Sequence, residues 1–342
     1  MSEQETQLIS LDDRIGTDIS NTNSFDDVMN TAGFGFNVER VPMHTPEGNT
    51  VKNNYIIRRD DTKRILGTCK SRYSPVQSAA MFEPFHQMVQ KYGAQYETAG
   101  LISGGAKCWI SAKLPGDWGL KSRPDDKVEQ RIVSLVSHDG TKRNSYLSIA
   151  KRVFCNNMLS LLTTEGAQQG YSISHTKNWE DNLDIIQANF DNSIQAHSKF
   201  NQTANRLDEM RINAEEVKVF TELLLPDSPR QFDEKGKEIK KRETSRITNR
   251  REQILDLFIT GAGNRGNSRW DAFNAVTEYV DHHNNSKSLE GKNGYQAAER
   301  RFVSNLLGGP GDRLKQRGLG LLLNKLPFYA QRDATVYTAK VA

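Results

Sequence analysis

The stretch that decides the fold is 127-KVEQRIVSLVSHDGTKRNSYLSIAKRVF-154. Two runs rich in β-branched, aromatic and aliphatic residues flank Asp139-Gly140, and Asp-Gly is the dipeptide best suited to the positive φ angles of a type I′ turn. The segment reads as an antiparallel hairpin. Working outward, 95-QYETAGLISGGAKCWISAKL-114 repeats the pattern around Ser103-Gly104-Gly105, and 53-NNYIIRRDDTKRILGTCKSRYSPVQ-77 repeats it around Arg58 to Asp61. Between these two, Met81, Phe82, Phe85, Met88, Val89 and Tyr92 recur at helical spacing and stop at Gly93, which predicts one amphipathic helix. Three hairpins and a helix therefore occupy the first half of the chain.

Beyond residue 154 the strand signals fade. In 155-CNNMLSLLTTEGA-167, Asn156 is the expected cap of a helix that carries Met158, Leu159, Leu161 and Leu162 on its apolar side. From Asn178, Leu183, Ile186, Phe190, Ile194, Phe200 and Leu207 describe a helix of about thirty residues. Another helix begins at the Asn213 cap and ends at Pro226, and Trp270, Phe273, Val276, Thr277 and Val280 form the core face of a third. The fold class expected is α+β, an antiparallel sheet built of β-hairpins packed on helices, followed by a mainly helical C-terminal region. Residues 1–24 are too polar to order themselves and are expected to be a flexible tail. Residues 25–166 form the hairpin-sheet domain, and 167–342 the helical region, with a charged connector over 226–246.

Composition narrows the function classes. The 342 residues carry 46 Lys and Arg against 42 Asp and Glu, a net +4, so an attraction for polyanions must be local rather than global. Hydrophobic residues make up 36% of the chain, which suffices for a real core. Cys69, Cys108 and Cys155 are odd in number and form no CxxC pair, which argues against a disulfide framework or a structural zinc site and fits a reducing cytoplasm. No secretory leader and no membrane-spanning run is readable.

His138, Asp139 and Cys155 are residue types of a cysteine hydrolase, but a strand separates the histidine from the cysteine, which puts them tens of ångströms apart at roughly 3.3 Å per residue. Neither the glycines at 261–266 nor GGPGDRLK at 308–315 fits a phosphate-binding loop, and the neighbouring His282 and His283 point about 100° apart on a helix. The acids at hairpin tips, Asp60, Asp61 and Asp139, read as turn formers. No catalytic residue, metal ligand or cofactor is therefore assigned, and no enzyme is expected.

Basic and aromatic residues offer more. Arg58, Arg59, Lys70, Arg72 and Tyr73 belong to the first hairpin, Lys142, Arg143, Tyr146, Lys151 and Arg152 to the third, and Lys240, Lys241 and Arg242 to the connector. Cations bind phosphates and any base stacks on a ring, so these thirteen residues are the expected nucleic-acid-binding set.

The segments around the three hairpins, SHT at 174–176 and 269-RWDAFNAVTEYVDHH-283 occur in an order that resembles phage/plasmid-like proteins carrying domain of unknown function 932. The resemblance covers about residues 30–325. It departs at Asn157-Met158, where the family usually has Thr after a Cys-Asn pair, and at GNSRW, where the family has GTAW. It implies a mobile-element protein of DNA replication or recombination, and the order of strands and helices is similar to RecT and Redβ-type single-strand annealing proteins, an analogy of fold alone. The expectation is a protein that binds single-stranded DNA without sequence preference and pairs complementary strands as a homo-oligomer in the bacterial cytoplasm. The alternative is a non-enzymatic interaction factor acting on host defence or replication machinery through the helical half.

Overall fold

The computed structural model describes residues 11–22, 24–152, 157–160, 172–173, 184–227, 243–284, 294–306 and 308–324. In chain order these form α1 (Leu11–Ile15), β1 (Thr17–Asp18), α2 (Phe25–Thr31), β2 (Val38–His44), β3 (Thr50–Arg59), β4 (Ile65–Cys69), α3 (Ser78–Tyr92), β5 (Gln95–Ile102) and β6 (Lys107–Lys113). There follow β7 (Trp118–Leu120), β8 (Arg123–Ser137), β9 (Asn144–Arg152), β10 (Asn157–Ser160), β11 (Ser172–Ile173), α4 (Asp184–Glu209), α5 (Ala214–Leu224) and α6 (Glu243–Thr260). Last come α7 (Arg269–Glu278), a π-helical turn (Tyr279–His283), α8 (Gly294–Leu306) and α9 (Pro310–Leu323). The class is α+β, as the hairpin and helix patterns require.

The main sheet is antiparallel, with β1-β5-β6-β8-β9-β10 as its path, and β2-β3-β4 make a separate three-stranded sheet. The decisive stretch forms its centre: β8 pairs with β6 from Lys107↔Ser137 to Lys113↔Arg131 and with β9 from Val128↔Arg152 to Leu135↔Ser145. Every residue from Arg131 to His138 is buried. A strand with both faces covered reads as a continuous apolar run, whereas a half-exposed one alternates. Ile132 and Val136 pack into a core with Met81, Phe82 and Phe85 of α3, while Val133 and Leu135 join Trp109 against Ala298 and Phe302 of α8. The Trp109 and Phe302 rings lie 4.8 Å apart. Toward the far end of the sheet, Val128, Ala150 and Leu159 meet Phe200 and Leu207 of α4 and Phe220, Trp270 and Phe273 beyond.

Local signals hold where they were strongest. The first two hairpins and α3 lie where their residues place them, and α3 ends at Gly93 in the left-handed conformation. Asn213 caps α5 in a reciprocal box with Glu216, each side chain meeting the other's backbone N–H at 2.9 Å. Ser268 and Asp271 do the same for α7. No helix among the described residues is long and apolar enough to cross a membrane.

Three expectations are corrected. Residues 11–22 are not loose: α1 and β1 dock on β5, and Ile15 and Ile19 are buried, two apolar residues being enough once an edge strand satisfies the backbone. Met158 and Leu159 sit on a strand, not a helix, because β9 offers an open edge that pairs with Asn157–Ser160; Cys155 and Asn156 lie outside the described residues. The β8–β9 turn is longer than two residues, running from His138 to Arg143, and only Gly140 in it has positive φ (75°), so it is not type I′. Residues 228–242, most of the charged connector, are also outside the described set.

Candidate nucleic-acid interface

Antiparallel pairing puts the β5–β6 turn and the β8–β9 turn at the same end of the main sheet, since β6 lies between β5 and β8. The β3–β4 turn is brought to the same place by a close backbone approach. Gly67 of β4 stands where an added Cβ would come within 2.4 Å of the Asp139 carbonyl oxygen, so only glycine lets the small sheet lie against the third hairpin's tip.

Polar contacts then lace the three tips together. Arg59 donates to the Gly104 carbonyl at 3.1 Å, and its guanidinium lies 3.8 Å from the centroid of the Phe36 ring. Lys107 is ion-paired with Asp139 and donates to the Thr141 hydroxyl at 3.0 Å. Burial alone raises the Asp139 pKa, but hydrogen bonds from Lys107 and Thr141 outweigh it and hold the carboxyl below its usual range. Glu299 of α8 accepts from the Ser103 N–H at 2.9 Å, which fastens the helix to the second tip.

These elements enclose a cleft of about 830 Å³. Its walls include Arg64 from the first tip, Lys142 from the third and Arg300 from α8, all exposed. Tyr295, also in the wall, is 50% exposed, with its hydroxyl 3.4 Å from the Leu101 carbonyl oxygen. The carboxylate in the wall, Glu299, is engaged by the Ser103 N–H, and Arg64, Lys142, Arg300 and the exposed Tyr295 ring line the same cleft. Phosphates and a base are the ligand pieces that such a surface suits.

Of the thirteen residues expected from sequence, Lys142 lines this cleft and Arg143 is exposed beside it in the same turn. Arg59 helps to build the tip, bound to Asp61 at 2.6 Å, and Arg58 pairs with Glu39 at 2.7 Å. Lys70 and Arg72 follow β4 and so stand at its opposite end from Arg64; Lys70 donates to Asn54 at 2.6 Å. Tyr73 packs against the core, where burial raises its pKa.

Three assignments are overturned by burial. Tyr146 is 4% exposed, stacks on Phe85 and donates its hydroxyl to the Met81 carbonyl at 2.9 Å. Arg152, 3% exposed, is forked onto Asp126 and reaches the Gly263 carbonyl, while Lys151 is buried within 3.5 Å of the Asp13 carboxylate. Nine residues of β9 carry these two cations about 30 Å from the turn at 3.3 Å per residue. Alternation across a strand could not reveal this, since both faces of β9 are covered. Lys240, Lys241 and Arg242 lie outside the described residues.

Arg64, Tyr295 and Arg300 were missed as a group. Arg64 was visible as a hairpin-tip cation, but nothing in the sequence links 295–300 to the hairpins 150 or more positions earlier. His138 Nε2 is 2.9 Å from the Ser78 hydroxyl, and both residues are buried. His283 lies 3.7 Å from Glu278 and Asp281 is paired with Lys315, and no group of three or more metal-ligating side chains occurs among the described residues.

A family model described as Domain of unknown function (DUF932) matches residues 65–302. No curated protein and no solved structure matches the chain.

Proposed function

The chain belongs to the DUF932 family, whose description assigns no activity, and we propose from the cleft itself that the protein binds single-stranded DNA there without reading its sequence. The observation that carries this is the meeting of Arg64, Lys142 and Arg300 with the exposed Tyr295 ring in one hollow whose lining carboxylate, Glu299, already accepts from the Ser103 N–H. Cations hold successive phosphates, and a ring stacks on any base. A duplex offers its bases only at groove edges, so a half-exposed tyrosine in a cleft favours an unpaired strand. Strand annealing in mobile-element recombination or replication is the activity this would serve, because it needs two strands held extended and requires no nucleophile, metal or nucleotide triphosphate.

The test is a fluorescence-anisotropy titration of a labelled thymidine oligomer across a salt series. Replacing Arg64, Lys142 and Arg300 together by Gln should flatten the slope of log affinity against log salt by about 2, at about 0.7 per lost phosphate contact. Tyr295→Ala should cost about 1–3 kcal/mol of binding with the slope unchanged. Unaltered affinity in the folded triple variant would remove the assignment and favour the interaction-factor alternative. Reversing Lys151 and Arg152 would be the wrong experiment, since their burial makes it a test of folding.

A further inference from the structure

The cleft has a neighbour. Asn284, which follows the π-helical turn, lines both the large cleft and a second hollow of about 280 Å³. The second hollow is walled by Ser245, Arg246, Asn249, Arg250 and Gln253 of α6, with Tyr279 and His283 opposite. Positions 246, 249, 250 and 253 are spaced by three and four, so they form one stripe along the helix. Every one of them carries a hydrogen-bond donor, and none is a carboxylate.

Two acids behind this stripe, Glu278 and Asp281, are engaged by other groups. Glu278 is 2% exposed and accepts from the Gly263 N–H at 2.7 Å and the Ala262 N–H at 3.1 Å, besides facing His283 at 3.7 Å. Asp281 is buried 2.6 Å from the Lys315 ammonium. Arg250 is fixed in place by its Nε donating to the Tyr279 hydroxyl at 2.9 Å, and that hydroxyl lies 3.4 Å from the Asn284 amide oxygen. A guanidinium has further N–H donors beyond Nε. Arg246 is exposed one turn earlier on the same stripe.

We propose that this hollow is a second phosphate subsite for the same strand, reached by crossing Asn284 from the hairpin-tip cleft. The inference rests on the cleft being a polynucleotide site. It adds a track: the strand runs from the sheet's turns onto the helical half, holding its backbone along the donor-bearing stripe of α6. Binding then depends on length, because a short oligomer occupies the cleft alone and a long one engages both.

The experiment compares thymidine oligomers of about six and about twenty nucleotides, lengths chosen to lie below and above common single-strand site sizes. Anisotropy is read at 50 and 200 mM salt for the wild type, Arg246→Gln, and the paired Lys142→Gln/Arg300→Gln variant, with thermal melting to verify folding. For the long oligomer, Arg246→Gln should reduce the affinity ratio between the two salt concentrations by about 2.6-fold, the worth of one phosphate contact at a slope of 0.7. Binding of the short oligomer should not change. The paired cleft variant should weaken both. If the cleft variant weakens both but Arg246→Gln changes neither, or changes both alike, the track is wrong and the cleft assignment stands. If the cleft variant changes neither, both readings fall.

Discussion

Gly67→Ala is the smallest change that bears on how the cleft is assembled. The added methyl carbon would lie 2.4 Å from the Asp139 carbonyl oxygen and 2.8 Å from its carbonyl carbon and Cα, where ordinary contact begins at 3.4 Å. The neighbour is backbone, so a rotamer change cannot relieve the clash, and β4 and the β8–β9 turn must part by about 1 Å. Two effects compete. Alanine reduces unfolded-chain entropy, which favours folding by about 0.4–1 kcal/mol. Overpacking against a fixed backbone costs about 1–3 kcal/mol. The clash wins, and a net loss of about 1–2 kcal/mol is expected, read as a lower urea midpoint at unchanged slope. Amide hydrogen exchange should quicken in Ile65–Cys69 and in 138–143 first, since the strain is local. Oligonucleotide affinity should fall as well, because Arg64 and Lys142 stand on the two turns being pushed apart. A variant with the wild-type midpoint and wild-type exchange in both segments would refute the close approach, and with it the physical reason that the tips converge.

Arg152→Met should destabilise the fold by about 3–5 kcal/mol by leaving Asp126, 1% exposed, without its ion-pair partner, and Asp126→Leu added to it should restore much of the loss; denaturant titration of the single and double variants checks both. Tyr146→Phe should cost about 1 kcal/mol through the lost bond to the Met81 carbonyl and leave oligonucleotide affinity untouched, whereas weakened binding would mean that the ring is reachable after all. His197 is buried with Nε2 3.4 Å from the Arg131 carbonyl, and burial lowers its pKa to about 4. The unfolded chain protonates this ring near 6.5, so it holds more protons than the folded state between about 6.5 and 4, and stability falls as pH drops through that window. At pH 5 the loss is about 2 kcal/mol relative to pH 7, measurable by urea titration, and His197→Gln should flatten it.

Much of this protein is legible in its chain. The hairpins, the helix ending at Gly93, the Asn213 cap and the apolar face of α7 follow from alternation, turn chemistry and caps, each of which acts within a few residues, whereas the burial of Asp271, Asn274 and Glu278 on the rest of α7 does not. The placement of cations does not. Lys142 and Lys151 sit on the same hairpin and look equivalent, but one stands on an exposed turn and the other at the covered end of a strand beside Asp13. What decides between them is which helices cover β9, and those helices come from distant parts of the chain. The cleft has the same origin, since Arg64, Lys142, Tyr295 and Arg300 become neighbours only through antiparallel strand order, a glycine-sized approach and the docking of α8. Short-range rules set the elements because their energies are local, while exposure and charge pairing depend on long-range packing, which no single segment encodes.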